Sequence, residues 1–469
     1  MRSQESAVPF RYLLLIFPLL IIAVSVSFLA TPNYLYATIP GAAILFLLLL
    51  GKFPQVGYYA IVFMIPFGAF RGDIPWVIAF SLITLTLFQF LFHKRITERL
   101  KSKLWIWFFV LYVISIFSTY FSKYPETSYH NLYLLAVGYM FFALNLIFLS
   151  KNSFIRTLPT IIITSISIGA FLGILGFVFV IPFFAHNIGT GVDPRAVGAA
   201  TDPNNFSLML IFCMPILAHW FSKARSSLEK GLVVLISVMN IIGLIITYSR
   251  GGLIIFSITM ALLIIEYRKR FKLKYLGFLM ATVSITVLLV ITLVPSSYWE
   301  RQKTVTETKR DTAMARRISY YYVAWDAFKE APIIGSGPGS FIDFFAGTDY
   351  ARHFSPDYTS LRRYAHNTYL EHLVGTGILG LLTFLIIIWR SLRDFKIALK
   401  NCREKGKIDL MDIISVYRLS FISVALYLIF FSDVYHKYLL VSLALSQVAL
   451  RVSREEPEKE SSEKPLIGR

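Results

Sequence analysis

Apolar runs of bilayer length recur along the chain, separated by short polar connections. Stretches such as YLLLIFPLLIIAVSVSFLA (12–30), WVIAFSLITLTLFQFLF (76–92) and YLGFLMATVSITVLLVITLV (275–294) are long enough to cross a hydrocarbon core of about 30 Å. Walking the chain, about fourteen such segments lie near 12–30, 35–50, 55–70, 74–92, 104–121, 129–149, 157–183, 204–221, 231–248, 251–266, 273–294, 367–389, 413–432 and 434–450. Several are short, so twelve full spans with partial ones fits equally. The pattern predicts an all-α polytopic membrane protein with about 12–14 transmembrane helices. The first run follows a basic leader but ends in Ser27-Phe28-Leu29-Ala30, without a small-x-small cleavage site, and reads as a retained span.

The polar connections divide by charge. With the N-terminus on the cytoplasmic side, HKRITERLKSK (93–103), SKARSSLEKG (222–231), YRKRFKLK (267–274), RSLRDFKIALKNCREKGK (390–407) and the C-terminal tail all fall on one face. The short connections of the other face hold Arg71, Lys123, Arg195, Arg250 and Lys437, the asymmetry that the positive-inside rule describes. The net charge of +19 is then mostly topogenic, and the basic residues are too dispersed over loops for a nucleic-acid surface. Composition agrees: 56% of the 469 residues are hydrophobic and 16% charged, a balance that excludes a soluble domain. Cys213 lies in an apolar segment and Cys402 in a basic connection, so neither a disulfide nor a cysteine metal site is expected.

Four regions follow: an N-terminal transmembrane bundle (1–294), one long outer loop (295–366), C-terminal transmembrane helices (367–451) and a disordered cytoplasmic tail (452–469). In the outer loop, ARRISYYYVAWDAFKEAP (315–332) places Ile318, Tyr321, Tyr322, Trp325 and Phe328 at helical spacing. That is an amphipathic helix packed on the membrane domain or lying at its surface, ended by Pro332. The GSGPGS stretch after it lacks the Lys-Ser/Thr ending and the strand-helix context of a phosphate loop, so nucleotide binding is rejected. No HExxH or Cys-x-x-Cys occurs, and no metal site is expected.

Polar residues gather where outer turns would ordinarily be short and neutral. They form R-x-x-G then D-P-N (Arg195, Gly198, Asp202, Pro203, Asn204), S-R-G-G (Ser249 to Gly252), Arg317 upstream of Trp325 and P-I-I-G-x-G (Pro332 to Gly337), and H-N-x-x-L-E with G-x-x-G (His366 to Glu371, Gly377 to Gly380). In this order, from about residue 190 onward, they resemble the O-antigen ligase and polymerase family of bacterial envelope glycosyltransferases. The resemblance implies a GT-C-like fold in the bacterial inner membrane with its site facing the periplasm. It also implies transfer of a glycan from undecaprenyl diphosphate to a lipid A core hydroxyl, with inversion at the anomeric carbon and no metal or cofactor.

The residue types suit that chemistry. As the sugar C1–O bond breaks, charge grows on the diphosphate, and without a metal fixed guanidinium groups must meet it, since they stay protonated and fork onto phosphate oxygens. Arg250, Arg317 and Arg195 are the candidates. The acceptor hydroxyl needs a base, and His366, at a helix N-terminus among arginines, is biased to its neutral form. Asn204, Tyr321, Arg362, Arg363, Asn367 and Glu371 are candidates for support or substrate contacts, with Tyr320 and Tyr322 beside Tyr321 as further glycan or lipid contacts.

Each has a plainer alternative. Arg250 could snorkel at a turn, Arg317 could be the polar face of its helix, and Arg195 could be a solvated loop charge. Asp202 reads as a helix cap with Pro203 in the first turn, His366 as a capping or interfacial histidine, and His130, His186, His353 and His436 as surface residues. Glu371 is costly one turn inside a span unless partnered. Two other functions compete: a polymerase of the same family, and a lipid-linked oligosaccharide flippase, for which the first half offers few charges beyond Arg71 and Asp73.

Overall fold

The structure, a computed structural model, describes residues 54–68, 94–186, 194–200, 202–267, 312–354 and 361–455. The predicted segments near 12–30, 35–50, 74–92 and 273–294, Arg71 and Asp73, and most of the predicted tail lie outside them. The chain divides into two compact units, Met1–Lys101 and Ser102–Arg469. In the first, the described helices are α1 (Pro54–Phe63) and α2 (Lys94–Leu100), the latter within the basic stretch 93–103.

The second unit holds α3 (Leu104–Tyr120), α4 (Pro125–Phe148), a π turn (Ser153–Thr157) continued by α5 (Leu158–Val178), then α6 (Pro203–Lys223), α7 (Ser227–Ile245) and α8 (Arg250–Tyr267). It continues with α9 (Thr312–Glu330), α10 (Phe341–Ala346), α11 (Asp349–Phe354), α12 (Thr368–Glu404), α13 (Ile408–Tyr427) and α14 (Lys437–Arg454). The strands described are the two-residue pair β1 (Ala185–His186) and β2 (Arg195–Ala196), antiparallel with His186 opposite Arg195. Seven of the described helices are long and apolar enough to cross a membrane: α4, α5 with its π turn, α6, α7, α8, α12 and α13. The chain is an all-α multi-pass membrane protein.

Local chemistry sets the helix starts. Ser226 accepts the Glu229 amide at 3.1 Å while Glu229 accepts the Arg225 amide at 3.0 Å, a reciprocal cap that turns α6 sharply into α7. α13 is central, packed on α6, α8, α12 and α14. Hydroxyls tie it across these interfaces: Ser420 to the Phe212 carbonyl at 2.9 Å, Tyr417 to the Phe154 carbonyl at 2.8 Å, and Ser423 with Thr259 at 2.8 Å. Such bonds suit apolar surroundings, where an unpaired hydroxyl is costly.

Two expectations change here. The basic stretch 390–407 is not a loop: α12 runs on to Glu404, with Ser391, Asp394, Phe395, Ala398 and Cys402 buried. Its continuation is stabilised against α14, and Lys405 and Lys407 donate to the terminal carbonyls of that helix, to Arg454 at 2.6 Å and Ser453 at 3.3 Å. These lysines therefore cap a helix as well as carrying charge.

α12, at 37 residues, would be about 55 Å long if regular, nearly twice the hydrocarbon thickness. It is broken instead at Gly377 (φ 65°, ψ −167°). The turn 332–337 fills the break. The Ser336 and Gly337 amides donate to the Val374 and Gly375 carbonyls, and the Ile378 amide donates to the Pro332 carbonyl, all at 2.9 Å. Ser118 of α3 donates to the Gly375 carbonyl at 2.6 Å and accepts the Gly337 amide at 2.8 Å. A Cβ at Gly335 would strike the Gly377 amide, and one at Gly377 the Ile333 carbonyl. The glycine-rich turn is thus a backbone clasp, with its amides taken up by protein carbonyls and hydroxyls.

Candidate active site

The D-P-N and S-R-G-G motifs meet. Asp202 Oδ1 caps α6, accepting the Asn204 and Asn205 amides at 2.8 and 3.0 Å, with Pro203 in the first turn as the sequence suggested. The cap leaves the side chains of both asparagines for other elements. Ser249 donates to Asn204 Oδ1 at 2.9 Å, and Asn205 Oδ1 pairs with His436 Nε2 at 3.0 Å. The Tyr427 hydroxyl, at the end of α13, joins Ser249 Oγ at 3.1 Å and also Ser207 Oγ. A Cβ at Gly252 would approach Ser207 Oγ to 2.8 Å, and one at Gly251 would approach Phe430 to 2.9 Å. Only hydrogen at those positions lets the first turn of α8 fit between α6 and the segment after α13, which sets Arg250 at the head of α8.

Arg195 braces the same turn. It is 9% exposed, and its Nε donates to the Thr247 carbonyl at 2.8 Å. The adjoining Ala196 amide donates to the Ile246 carbonyl at 2.9 Å. A solvated loop charge is therefore ruled out, because β2 docks on the α7–α8 connection and takes the guanidinium inside. His436, read as a surface residue, is also buried, drawn in by its bond to Asn205. His130 and His353 are exposed as expected.

His366 is not the cap of α12. That position belongs to Asn367, whose Oδ1 accepts the Tyr369 and Leu370 amides at 3.0 and 3.2 Å. His366 precedes it with φ 49°, a left-handed conformation that histidine tolerates better than most side chains. The surrounding backbone is pinned. Glu371 Oε1 accepts the Ala365 amide at 2.8 Å, Ser432 Oγ accepts the Asn367 amide at 3.0 Å, and Thr368 bonds the Leu428 and Phe431 carbonyls. Glu371 has the partner that a carboxylate at this depth requires.

The imidazole of His366 lies by Tyr320, ring centroids 6.1 Å apart. Burial, and next the charge of Arg317, lower its pKa to about 4; Asp202 opposes this, and Arg316 and Arg363 add to it. The ring is therefore neutral at physiological pH. Arg317, on α9, is itself half-buried, which lowers its pKa, and among its neighbours are the phenols of Tyr427 and Tyr320 and the positive charges of Arg250 and Arg316. It stays protonated nonetheless. Arg317 thus interacts with Arg250, 67 positions away in sequence, and with His366.

Other candidates point elsewhere. Arg362 is tied to Asp343 at 2.6 Å and to Thr127 Oγ1 at 3.0 Å. The packed face of α9 is Ser319, Tyr320, Val323, Ala324 and Ala327, so Tyr320 is sealed against Phe341 and Phe345 while Tyr321, 53% exposed, faces away. The stripe read from the spacing is the outward one, because the buried side uses small residues for close approach. Sequence reasoning missed Tyr427, Ser207 and the Asn205–His436 pair. The available signal was faint: a tyrosine closing an apolar helix, and a second asparagine after D-P-N.

Comparison with known proteins matches part of the chain. A search of curated proteins finds no match to the chain. The family model described as O-Antigen ligase matches residues 232–385, a stretch containing Arg250, Arg317 and His366 but not Arg195, Asn204 or Tyr427. Over that stretch the chain is similar to the O-antigen ligase family, whose glycosyltransferase-like ligases and polymerases act on lipid-linked glycans.

Proposed function

We propose that the protein is an O-antigen ligase, moving a glycan from undecaprenyl diphosphate to a hydroxyl of the lipid A core at the periplasmic face of the inner membrane. The observation that carries the reading is that Arg317 is electrostatically coupled both to a neutral His366 and to Arg250, which starts a different helix. Arg250 and Arg317 repel one another, and partly buried like charges are tolerated best where an anion completes the set. A diphosphate fits that need, its oxygens accepting forked guanidinium bonds.

His366 then takes the proton of the acceptor hydroxyl as its oxygen attacks the sugar C1. The C1–O bond to the diphosphate breaks on the opposite side, and the leaving group's charge is held by Arg250 and Arg317. In-line displacement inverts the anomeric centre. Arg195 and Asn204 act one step back, holding the Thr247–Arg250 turn in place.

The test is a reconstituted transfer reaction with a polyprenyl-diphosphate glycan. Glycan on added lipid A core supports the ligase. Lengthening of the lipid-linked glycan without that acceptor identifies a polymerase. A His366→Asn variant, which keeps the left-handed backbone within reach, should lose about 10²- to 10⁴-fold in rate while still binding donor. Full transfer activity in that variant would remove His366 from the mechanism, whereas no transfer by the unaltered protein to either acceptor would favour a flippase.

A further inference from the structure

α9 has a second face that the site does not use. Opposite its packed side run Ile318, Tyr321, Tyr322 and Trp325, with Tyr322 and Trp325 59% and 57% exposed. Bulky side chains at i, i+3, i+4 and i+7, three of them aromatic, make one stripe, and a patch of this kind marks a contact surface.

The turn that follows α9 fixes its level. Ser122, just past the end of α3, donates to the Ser336 carbonyl at 2.6 Å, and Lys123 pairs with Glu330 at the end of α9. The Leu379 amide of α12 donates to the Ile333 carbonyl at 3.3 Å, which sets the exposed Ile333 beside the outward Ile378 and Leu379. Those residues open the lipid-length part of α12, and Phe117, Tyr120 and Phe121 are likewise exposed at the end of α3. The stripe therefore belongs to a helix whose end is anchored beside the apolar outer surface of the transmembrane helices. Its residue types are those of the membrane–water boundary, where tyrosine and tryptophan present an apolar body and a polar tip.

We propose that the Ile318–Tyr321–Tyr322–Trp325 face of α9 rests on the lipid headgroup layer, on the side of the membrane where His366 lies, so that α9 is an interfacial helix. The same helix carries Arg316, Arg317 and Tyr320 toward His366, and lipid contact thus sets the height of Arg317 relative to the headgroups. The contact itself stands whether or not the chain transfers a glycan.

The full chain in lipid nanodiscs, labelled with bimane at Tyr322→Cys or, separately, at Trp325→Cys, tests this. Both positions are exposed, whereas Cys213 and Cys402 are buried. Nitroxide carried on lipid headgroups should quench both labels several-fold more than it quenches bimane at Arg352→Cys on α11, and aqueous iodide should quench them less. Strong iodide quenching with no lipid-borne quenching at 322 and 325 would overturn the proposal. So would labels indifferent to lipid nitroxide but shielded by added lipid-free oligosaccharide, which would make the stripe a glycan platform.

Discussion

Glu371 Oε1 accepts the amide of Ala365 at 2.8 Å, and that bond fixes the Tyr364–Ala365 peptide unit, one residue before His366. The carboxylate is buried and also hydrogen-bonds Ser432, so it joins the end of the outer loop, the start of α12 and the segment after α13. It positions the proposed base without needing to touch substrate.

Replacing Glu371 by Ala should leave the buried Ala365 amide without an acceptor, at a cost of about 1–3 kcal/mol. Thermal unfolding in detergent reads that loss. Transfer kinetics should show kcat falling more than KM rises, because the ring loses its orientation while the arginines remain. Glu371→Gln keeps a carbonyl acceptor and should recover most of both. Unchanged kcat in the Ala variant would remove Glu371 from this role.

Asn204 and Ser249 are 45 positions apart and joined at 2.9 Å. A double-mutant cycle of Asn204→Ala and Ser249→Ala should give a coupling of about 0.5–1.5 kcal/mol in unfolding free energy. Each single variant should also weaken donor binding, since the turn ending in Arg250 is loosened. Strict additivity would show that the bond contributes nothing in the membrane.

The low pKa of His366 predicts an unusual acid limb. A base must be unprotonated, and with a pKa of about 4 the ring stays so until the pH falls far below the usual 6.5. A profile of kcat/KM should therefore be flat through the mildly acidic range and drop near pH 4. Arg363→Gln removes a charge that lowers the pKa, so the limb should move upward. Bound diphosphate adds negative charge, and the limb of kcat should lie above that of kcat/KM. A limb near 6.5 in kcat/KM would contradict the buried, arginine-flanked setting.

Gly335 (φ +75°) and Gly377 (φ +65°) should be intolerant of alanine, as each Cβ would meet backbone of the other strand of the clasp. Strain alone costs about 1–3 kcal/mol, with loss of the clasp added. Gly406 has nearly the same φ, +64°, but open space around it. Gly406→Ala should thus shift the unfolding midpoint much less than Gly335→Ala. Equal shifts would mean that backbone conformation rather than close packing sets the requirement.

Hydropathy over some twenty residues is a property of composition, so the sequence by itself determined the membrane class and the approximate positions of the described spans from α4 onward. Local geometry made the Asp202 cap and the helix break before Arg250 legible for the same reason: both are settled by neighbours within a few residues. The motifs singled out His366, Arg250 and Arg317, but their association rests on helices that sequence spacing does not relate. Only the tertiary structure decided that Arg195 is buried under the turn, that Tyr427 ties two motifs, that Asn367 and not His366 caps α12, and that Glu371 holds the loop. It also decided which face of α9 is packed, because helical spacing reveals a stripe without saying whether protein or lipid lies against it. Hydrogen bonds between residues dozens of positions apart leave no periodicity in the chain; they arise when packing excludes water and each buried polar group must find its partner.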